Sequence, residues 1–408
     1  MTDTYEDNGV SMRQESDLPF VAVPGADFDV DPLGALRAAA DGGPICRSPR
    51  GVEVLDYPTV AALITDPRLD SQDASVYARM GGPQSLLDFA DHGLLVAMRG
   101  DKHRRIRRVL SAGFRVRQVL ERHDSMRDQA AELAQQWTDG QCEFVAEFSS
   151  PYPMRVLCAL LGIPAGDIGI FTAAATELHL LAAVPLAPHF PRIESALHEL
   201  VSYVTDLLAG RQRHPEDDLI SSLIAAQRTE GSVTNEELAW SLVNLIFAGQ
   251  DTTRYQLASA VLELIEHQEW ARLRQDPALV PAAVDEALRL RPVTRFVVRI
   301  PREPIVIHGV TVQSGRRVIL NLLAASHDPD RFDEPDRFRL DRAERFELPF
   351  GWGPHHCLGA ALARSEMEAA LAVLTASFAD VALTHQPQLT PPGGMLHGPE
   401  TLALSFRR

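Results

Sequence analysis

Apolar residues recur at three- and four-residue intervals over most of the chain, a helical period broken by only a few short alternating stretches. The run LERHDSMRDQAAELAQQWTDG (120–140) has one apolar face and predicts an amphipathic helix with a glycine stop. ESALHELVSYVTDLLAG (194–210) predicts another, and in HPEDDLISSLIAAQ (214–227) Pro215 is expected to open a helical segment. DPLGALRAAADGGP (31–44) predicts a short helix that stops at Gly42-Gly43-Pro44. GVEVLDY (51–57), VIHGVTV (306–312) and RRVILN (316–321) read as strands, which implies a small sheet assembled from distant segments.

Thr234 and Glu237 form a T-x-x-E capping box at the head of a much longer helix. No proline interrupts it before about His267, so it spans about 50 Å at 1.5 Å per residue. Its middle, LAWSLVNLIFAGQ (238–250), carries few charges and is expected to cross the core. Residues 1–408 therefore read as a single domain, mainly α-helical with a minor β-rich lobe and a long central helix. Residues 1 to about 15 read as a flexible arm.

Composition narrows the function. With 45% hydrophobic and 23% charged residues, the chain is neither disordered nor fibrous. A net charge of -16 disfavours nucleic acid as a partner. The exception is local: residues 99–122 hold nine Arg/Lys against two Asp/Glu. Cys46, Cys142, Cys158 and Cys357 form no C-x-x-C pair, which argues against a zinc finger or disulfide scaffold and fits a reducing, cytoplasmic setting. The first twenty residues lack an apolar signal core, and no apolar run approaches the roughly 18 residues a membrane span needs.

The sharpest chemical signal is Phe350-Gly351-Trp352-Gly353-Pro354-His355-His356-Cys357-Leu358-Gly359, followed by the helical run AALARSEMEAALAVLTASF. A cysteine at a helix start has its thiolate stabilised by free N–H groups. Soft anionic sulfur suits iron, and a cysteine without neighbouring ligands suits a cofactor that brings its own, as haem does. Nothing about core packing demands Gly-x-Gly-x-His-x-Cys-x-Gly. A second signal, Ala248-Gly249-Gln250-Asp251-Thr252-Thr253, lies within the long helix: small residues beside an acid and a hydroxyl form a groove with a proton source.

Together these segments resemble the cytochrome P450 family, from DKHRRIRR (101–108) to the C-terminal turn. The resemblance implies a soluble, bacterial-type haem-thiolate monooxygenase that binds haem b (iron protoporphyrin IX). Cys357 would be the axial iron ligand, with Phe350 shielding the sulfur and Gly359 closing the motif. His103, Arg107, Arg299 and His355 would meet the haem propionates. Arg295 is the alternative to Arg299, and if it is not at the haem it is placed to meet a substrate carboxylate. Ala248 and Gly249 would leave room for dioxygen, while Asp251 and Thr252 would deliver protons. Glu286 and Arg289, an E-x-x-R pair, would dock with Arg337 to hold the fold.

The family layout also implies a substrate pocket lined by Met80, Leu86, Leu87, Phe89, Leu178, Leu181, Leu245, Ala248, Phe296, Val297, Met395 and Leu396. This apolar set suggests a terpenoid, steroid, fatty or polyketide-type substrate. Electrons would come from a separate ferredoxin and ferredoxin reductase using NADH or NADPH, docking at the basic face. A monomer is the family-based expectation. Alternatives are a peroxide-driven oxygenase of the same fold and a haem-binding, non-oxidising interaction or sensor protein.

Overall fold

The computed structural model describes residues 13–408 except 42, 73, 139, 183 and 184. Its axis is the helix Asn235–Glu266, 32 residues long. The capping box forms in both directions: Glu237 N–H donates to Thr234 Oγ1 at 3.1 Å and Thr234 N–H to the Glu237 carboxylate at 2.9 Å. Arg105 pairs with the same carboxylate, which ties the helix start to Gly100–Ser111. Between 237 and 264 nearly every residue is buried, the departures being 247–249, 252 and 254. Most of its enclosed residues are apolar, and the enclosed polar ones include Ser241, Asn244, Gln250, Asp251, Gln256 and Glu263. Pro151–Leu161, Phe190–Arg213, Val280–Leu290 and Ala360–Ser377 pack around it. The turn Phe89–Gly93 also lies against it, so closely that a Cβ on Gly93 would sit 2.5 Å from the Trp240 carbonyl.

The minor lobe is a five-stranded sheet in the order Ile45–Ser48, Gly51–Val54, Val318–Asn321, Phe296–Pro301, Leu69–Ser71. Only the contact between Gly51–Val54 and Val318–Asn321 is parallel. The expected assembly from distant segments is therefore present. The segment 306–312 is a hairpin rather than one strand: Ile305–Ile307 pairs with Val310–Val312. His308 and Gly309, both at positive φ, make the turn. Arg13–Gln14 adds a parallel strand to this hairpin. The arm expected over residues 1 to about 15 otherwise lies outside the described residues.

Two helix starts and stops differ from expectation. The helix Leu219–Glu230 opens at Asp218, whose carboxylate accepts from Ser221 N–H at 2.7 Å, not at Pro215. A side-chain cap satisfies an otherwise orphaned donor, which proline cannot do. The helix His123–Gln135 stops five residues before Gly140, where Trp137 turns in to stack on Phe378. Among the described residues no helix is long and apolar enough to cross a membrane.

Candidate active site

The loop before Cys357 is shaped by two glycines at φ +70°, Gly351 and Gly353. Side chains rarely adopt that conformation. At Gly353 a Cβ would also lie 2.7 Å from Thr65 Cγ2. Cys357 N–H donates to the Phe350 carbonyl at 2.8 Å and His356 N–H to the Gly353 carbonyl at 3.0 Å, which closes the loop. Gly359 is the N-cap of Ala360–Ser377, and its N–H bonds the Cys357 sulfur. Cys357 is exposed, whereas the other three cysteines are buried. Enclosure by protein raises its pKa, opposed by the Gly359 N–H and the Arg107 charge. Half-buried Phe350 lies beneath the Arg364 guanidinium, 5.2 Å from its ring centroid.

Basic side chains gather beside this loop. His103 and His355 have ring centroids 4.3 Å apart. His103 Nε2 and His355 Nδ1 are buried without a hydrogen-bond partner. Burial, then His103, Arg299, Arg107 and Arg99, pull His355 down to about 4. Burial also lowers His103 and Arg299. Arg299 is buried and, among the described residues, donates only to the Val298 and Ile64 carbonyls, at 3.1 and 3.3 Å. Two orphaned ring nitrogens beside an uncompensated guanidinium call for an anion. Two carboxylates beside an exposed cysteine sulfur would supply it, so the residues present fit a haem held by Cys357. Arg107 donates to the His356 carbonyl at 2.6 Å and so braces the cysteine loop.

The central helix opens where the sequence motif lies. Ala248 is exposed, and Phe247, Gly249 and Thr252 are half-buried, within an otherwise enclosed helix. Thr252 Oγ1 donates to the Ala248 carbonyl at 2.9 Å. Gly249 serves packing: a Cβ there would come within 3.1 Å of Leu157 Cδ2. Asp251 is buried and pairs with Arg254 at 3.1 Å. Burial raises the Asp251 pKa, and Arg254 and His179 oppose that rise. Two residues after Asp251, Thr253 hydrogen-bonds Glu366, a fully enclosed carboxyl whose pKa burial raises well above its ordinary value. This contact ties the oxygen-site motif to the helix that follows Cys357.

The expected substrate lining divides. Leu86, Phe89 and Leu178 are fully buried in the main core and line no open space. Phe89 packs edge-on against Phe247 at 6.0 Å. Phe296 is nearly enclosed beneath the Arg50 guanidinium at 4.4 Å and borders a small cavity together with Arg295. Met80 and Met395 are exposed; Leu87, Leu181, Val297 and Leu396 are half-buried; Leu245 is nearly enclosed.

The structural triad has a different third member. Glu286 pairs with Arg289 at 2.7 Å and with Arg342 at 2.9 Å, all three side chains being almost fully enclosed. Arg337 gives only its backbone carbonyl, which accepts from Arg289 at 2.9 Å; its own side chain is 68% exposed and pairs with Glu334. A buried carboxylate with two guanidiniums is satisfied without it. Sequence reasoning also missed Arg254, for which the i,i+3 spacing from Asp251 was an available signal. It missed Phe247 and Glu366 as well, which no local pattern marks.

The basic face is less bare than its composition implies. Arg105, Arg108 and Arg117 pair with Glu237, Glu230 and Glu121, two of these carboxylates coming from outside the 99–122 segment.

A family model described as Cytochrome P450 matches residues 178–404. Mycinamicin IV hydroxylase/epoxidase of Micromonospora griseorubida is 35% identical over 69% of this chain and 71% of its own length. Luteothin monooxygenase of Streptomyces thioluteus is 30% identical over 88% of this chain and 89% of its own. The structure of P450BioI, solved with a hexadec-9Z-enoic acid-ligated acyl carrier protein, superposes with a TM-score of 0.84 and 27% identity, covering 93% of this chain and 99% of that one.

Proposed function

We propose that this chain, which belongs to the cytochrome P450 family, uses Cys357 as its iron ligand and Asp251 and Thr252 to move protons while it oxidises a hydrophobic acceptor. The chain is a P450 monooxygenase, and its family implies haem. The observation that carries the residue assignments is the pair of orphaned nitrogens on His103 and His355, set beside Arg299 and the exposed Cys357.

Haem held there would supply the activation of dioxygen and the transfer of one of its oxygen atoms to a C–H or C=C bond. The protein's part is positioning and proton handling. His103, His355 and Arg299 hold the propionates. Arg107 and the Gly359 N–H hold negative charge on the Cys357 sulfur. Ala248 leaves space beside the helix. Thr252 Oγ1, which rests on the Ala248 carbonyl, holds a transferable proton, and Asp251 replenishes it. The half-buried apolar set Leu87, Leu181, Val297 and Leu396 supports a terpenoid, steroid, fatty or polyketide-type substrate. The names of the two relatives support hydroxylation or epoxidation. Exposed guanidiniums of Arg104, Arg108 and Arg117 support docking of an acidic ferredoxin that is reduced by its NADH- or NADPH-dependent reductase. A monomer in the cytoplasm completes the reading.

The test is the ferrous–CO spectrum of the purified holoprotein and of Cys357→Ser. The native protein should show the red-shifted band of a thiolate-bound haem, and the variant should lose it. Retention of the native band by the variant would move the ligand elsewhere.

A further inference from the structure

Arg295 lies at the edge of the strand Phe296–Pro301 and has no carboxylate within ion-pair distance among the described residues. Its side chain borders a small cavity together with Phe296, Asn321 and Arg50. Arg299, on the same strand, is the residue whose charge reaches His355. Four residues at about 3.3 Å each put Arg295 about 13 Å further along the strand. Its backbone is clamped on both sides: Arg295 N–H donates to the Met395 carbonyl at 2.9 Å, and Leu323 N–H donates to the Arg295 carbonyl at 3.0 Å. Thr294 bridges Leu396. The guanidinium therefore stands on a fixed platform beside the turn 395–396, part of the expected substrate lining.

The charge balance there is unusual. A guanidinium carries five N–H donors. Among the described residues only the Pro392 carbonyl accepts from the Arg295 guanidinium, at 3.3 Å. Its cationic neighbours have partners of their own: Arg50 pairs with Glu53 at 2.9 Å, and Arg291 pairs with Glu263 and Glu266. Burial, then Arg291 and Arg50, pull Arg295 down to about 9. A half-buried guanidinium held without a counter-charge costs stability, and one long carbonyl contact does not offset it. A small cavity beside it is bounded mainly by apolar residues, among them Phe28, Leu36 and Phe296, with Arg50 and Asn321 as its polar members.

We propose that Arg295 is a specificity-determining residue that binds the carboxylate of a hydrophobic acid substrate, leaving the apolar remainder to the oxidation site. This rests on the monooxygenase reading and narrows its substrate class. The geometry suits a planar carboxylate, because a guanidinium fork can donate two parallel hydrogen bonds to it.

The test uses holoenzyme titrated with decanoic, dodecanoic and hexadecanoic acids and with their methyl esters, read by calorimetry and by the low-spin to high-spin absorbance change. A hydrogen-bonded charge pair of this kind corresponds to roughly 10–100-fold in affinity. The acids should bind that much more tightly than the esters. Arg295→Gln should remove the preference by weakening the acids alone, and Arg295→Lys should retain part of it. Equal binding of acid and ester, no binding of either, or an unchanged preference in Arg295→Gln overturns the proposal. The ferrous–CO band of each protein is recorded first. Its presence keeps the haem-thiolate reading standing when the acid preference fails, and its absence in the native protein means that the reading itself has failed.

Discussion

His103 and His355 reach the same point from opposite ends of the sequence, their rings 4.3 Å apart, and each buries one ring nitrogen with no partner among the described residues. The pair is neutral near pH 7, because burial and the surrounding arginines suppress protonation of both rings. Neutral rings with unfilled donors suit carboxylates better than they suit each other. His103→Leu and His355→Leu should therefore each speed haem loss to a scavenging apoprotein by roughly 10–100-fold, the worth of a hydrogen bond to a charged group. A rate of loss unchanged in both variants would remove these residues from the haem site.

Thr252 Oγ1 bonds the carbonyl one turn back, at Ala248. In Thr252→Ala that hydroxyl proton is gone while the helix remains. Positioned proton transfer contributes about 10²-fold or more. Product formed per NADH through the ferredoxin route should fall by that order, while turnover supported by added peroxide is largely spared. Equal loss by both routes would mean that Thr252 serves packing alone.

Arg342 and Arg337 offer a contrast in stability. Removing one partner of an enclosed ion pair costs about 3–5 kcal/mol when the other is left uncompensated. Arg342→Ala removes a side chain only 3% exposed but leaves Glu286 its pair with Arg289, so it should cost about 1.5–3 kcal/mol. Arg337→Ala removes an exposed side chain and should stay within about 0.5 kcal/mol of the parent. Denaturant melts of the two variants check this, and equal losses would return Arg337 to the cluster.

Much of this architecture could be read in the chain. The Thr234–Glu237 box fixes where the central helix begins, because both partners lie within one turn. The cysteine motif is equally local: its glycines, its caps and its sulfur are neighbours in sequence. What could not be read depends on chain reversal. Whether Arg337 or Arg342 turns inward is decided by the path of 333–342 over Arg289, whose guanidinium consumes the Ser326, Pro335 and Arg337 carbonyls. Whether Leu86, Phe89 and Leu178 face a cavity or a neighbour depends on the close seating of Phe89–Gly93 on the central helix. Apolar pattern alone does not distinguish the two.

His327 supplies a pH test away from the haem. Burial is the largest cause holding it down, to about 4 in the folded chain, and the Leu323 carbonyl, Arg289, Asp336 and Arg37 adjust it. Its unfolded value is near 6.5. The sign follows: below about pH 6.5 the unfolded chain takes up a proton that the folded chain refuses. Stability is then lost at about 1.4 kcal/mol per pH unit until the folded value is reached. His327→Gln should flatten the fall in unfolding free energy between pH 6.5 and 5, a range above most carboxylate titration. An unchanged slope would show that other groups dominate it.

Asp251 is held between opposing influences, burial raising its pKa and Arg254, 3.1 Å away, lowering it. Arg254→Gln removes only the second, so Asp251 should titrate at a higher pH than in the parent. If ionised Asp251 is needed to relay protons to Thr252, the acid limb of ferredoxin-driven turnover shifts upward in pH. The peroxide-supported limb stays in place, since that route bypasses the relay. Arg254 also lies 4.2 Å from the Tyr255 ring centroid, so a lost packing contact has to be separated from a lost charge. Arg254→Lys makes that separation: it returns the charge without the planar stack. A limb restored by lysine assigns the effect to electrostatics, whereas a limb that glutamine and lysine displace alike assigns it to packing and counts against the relay.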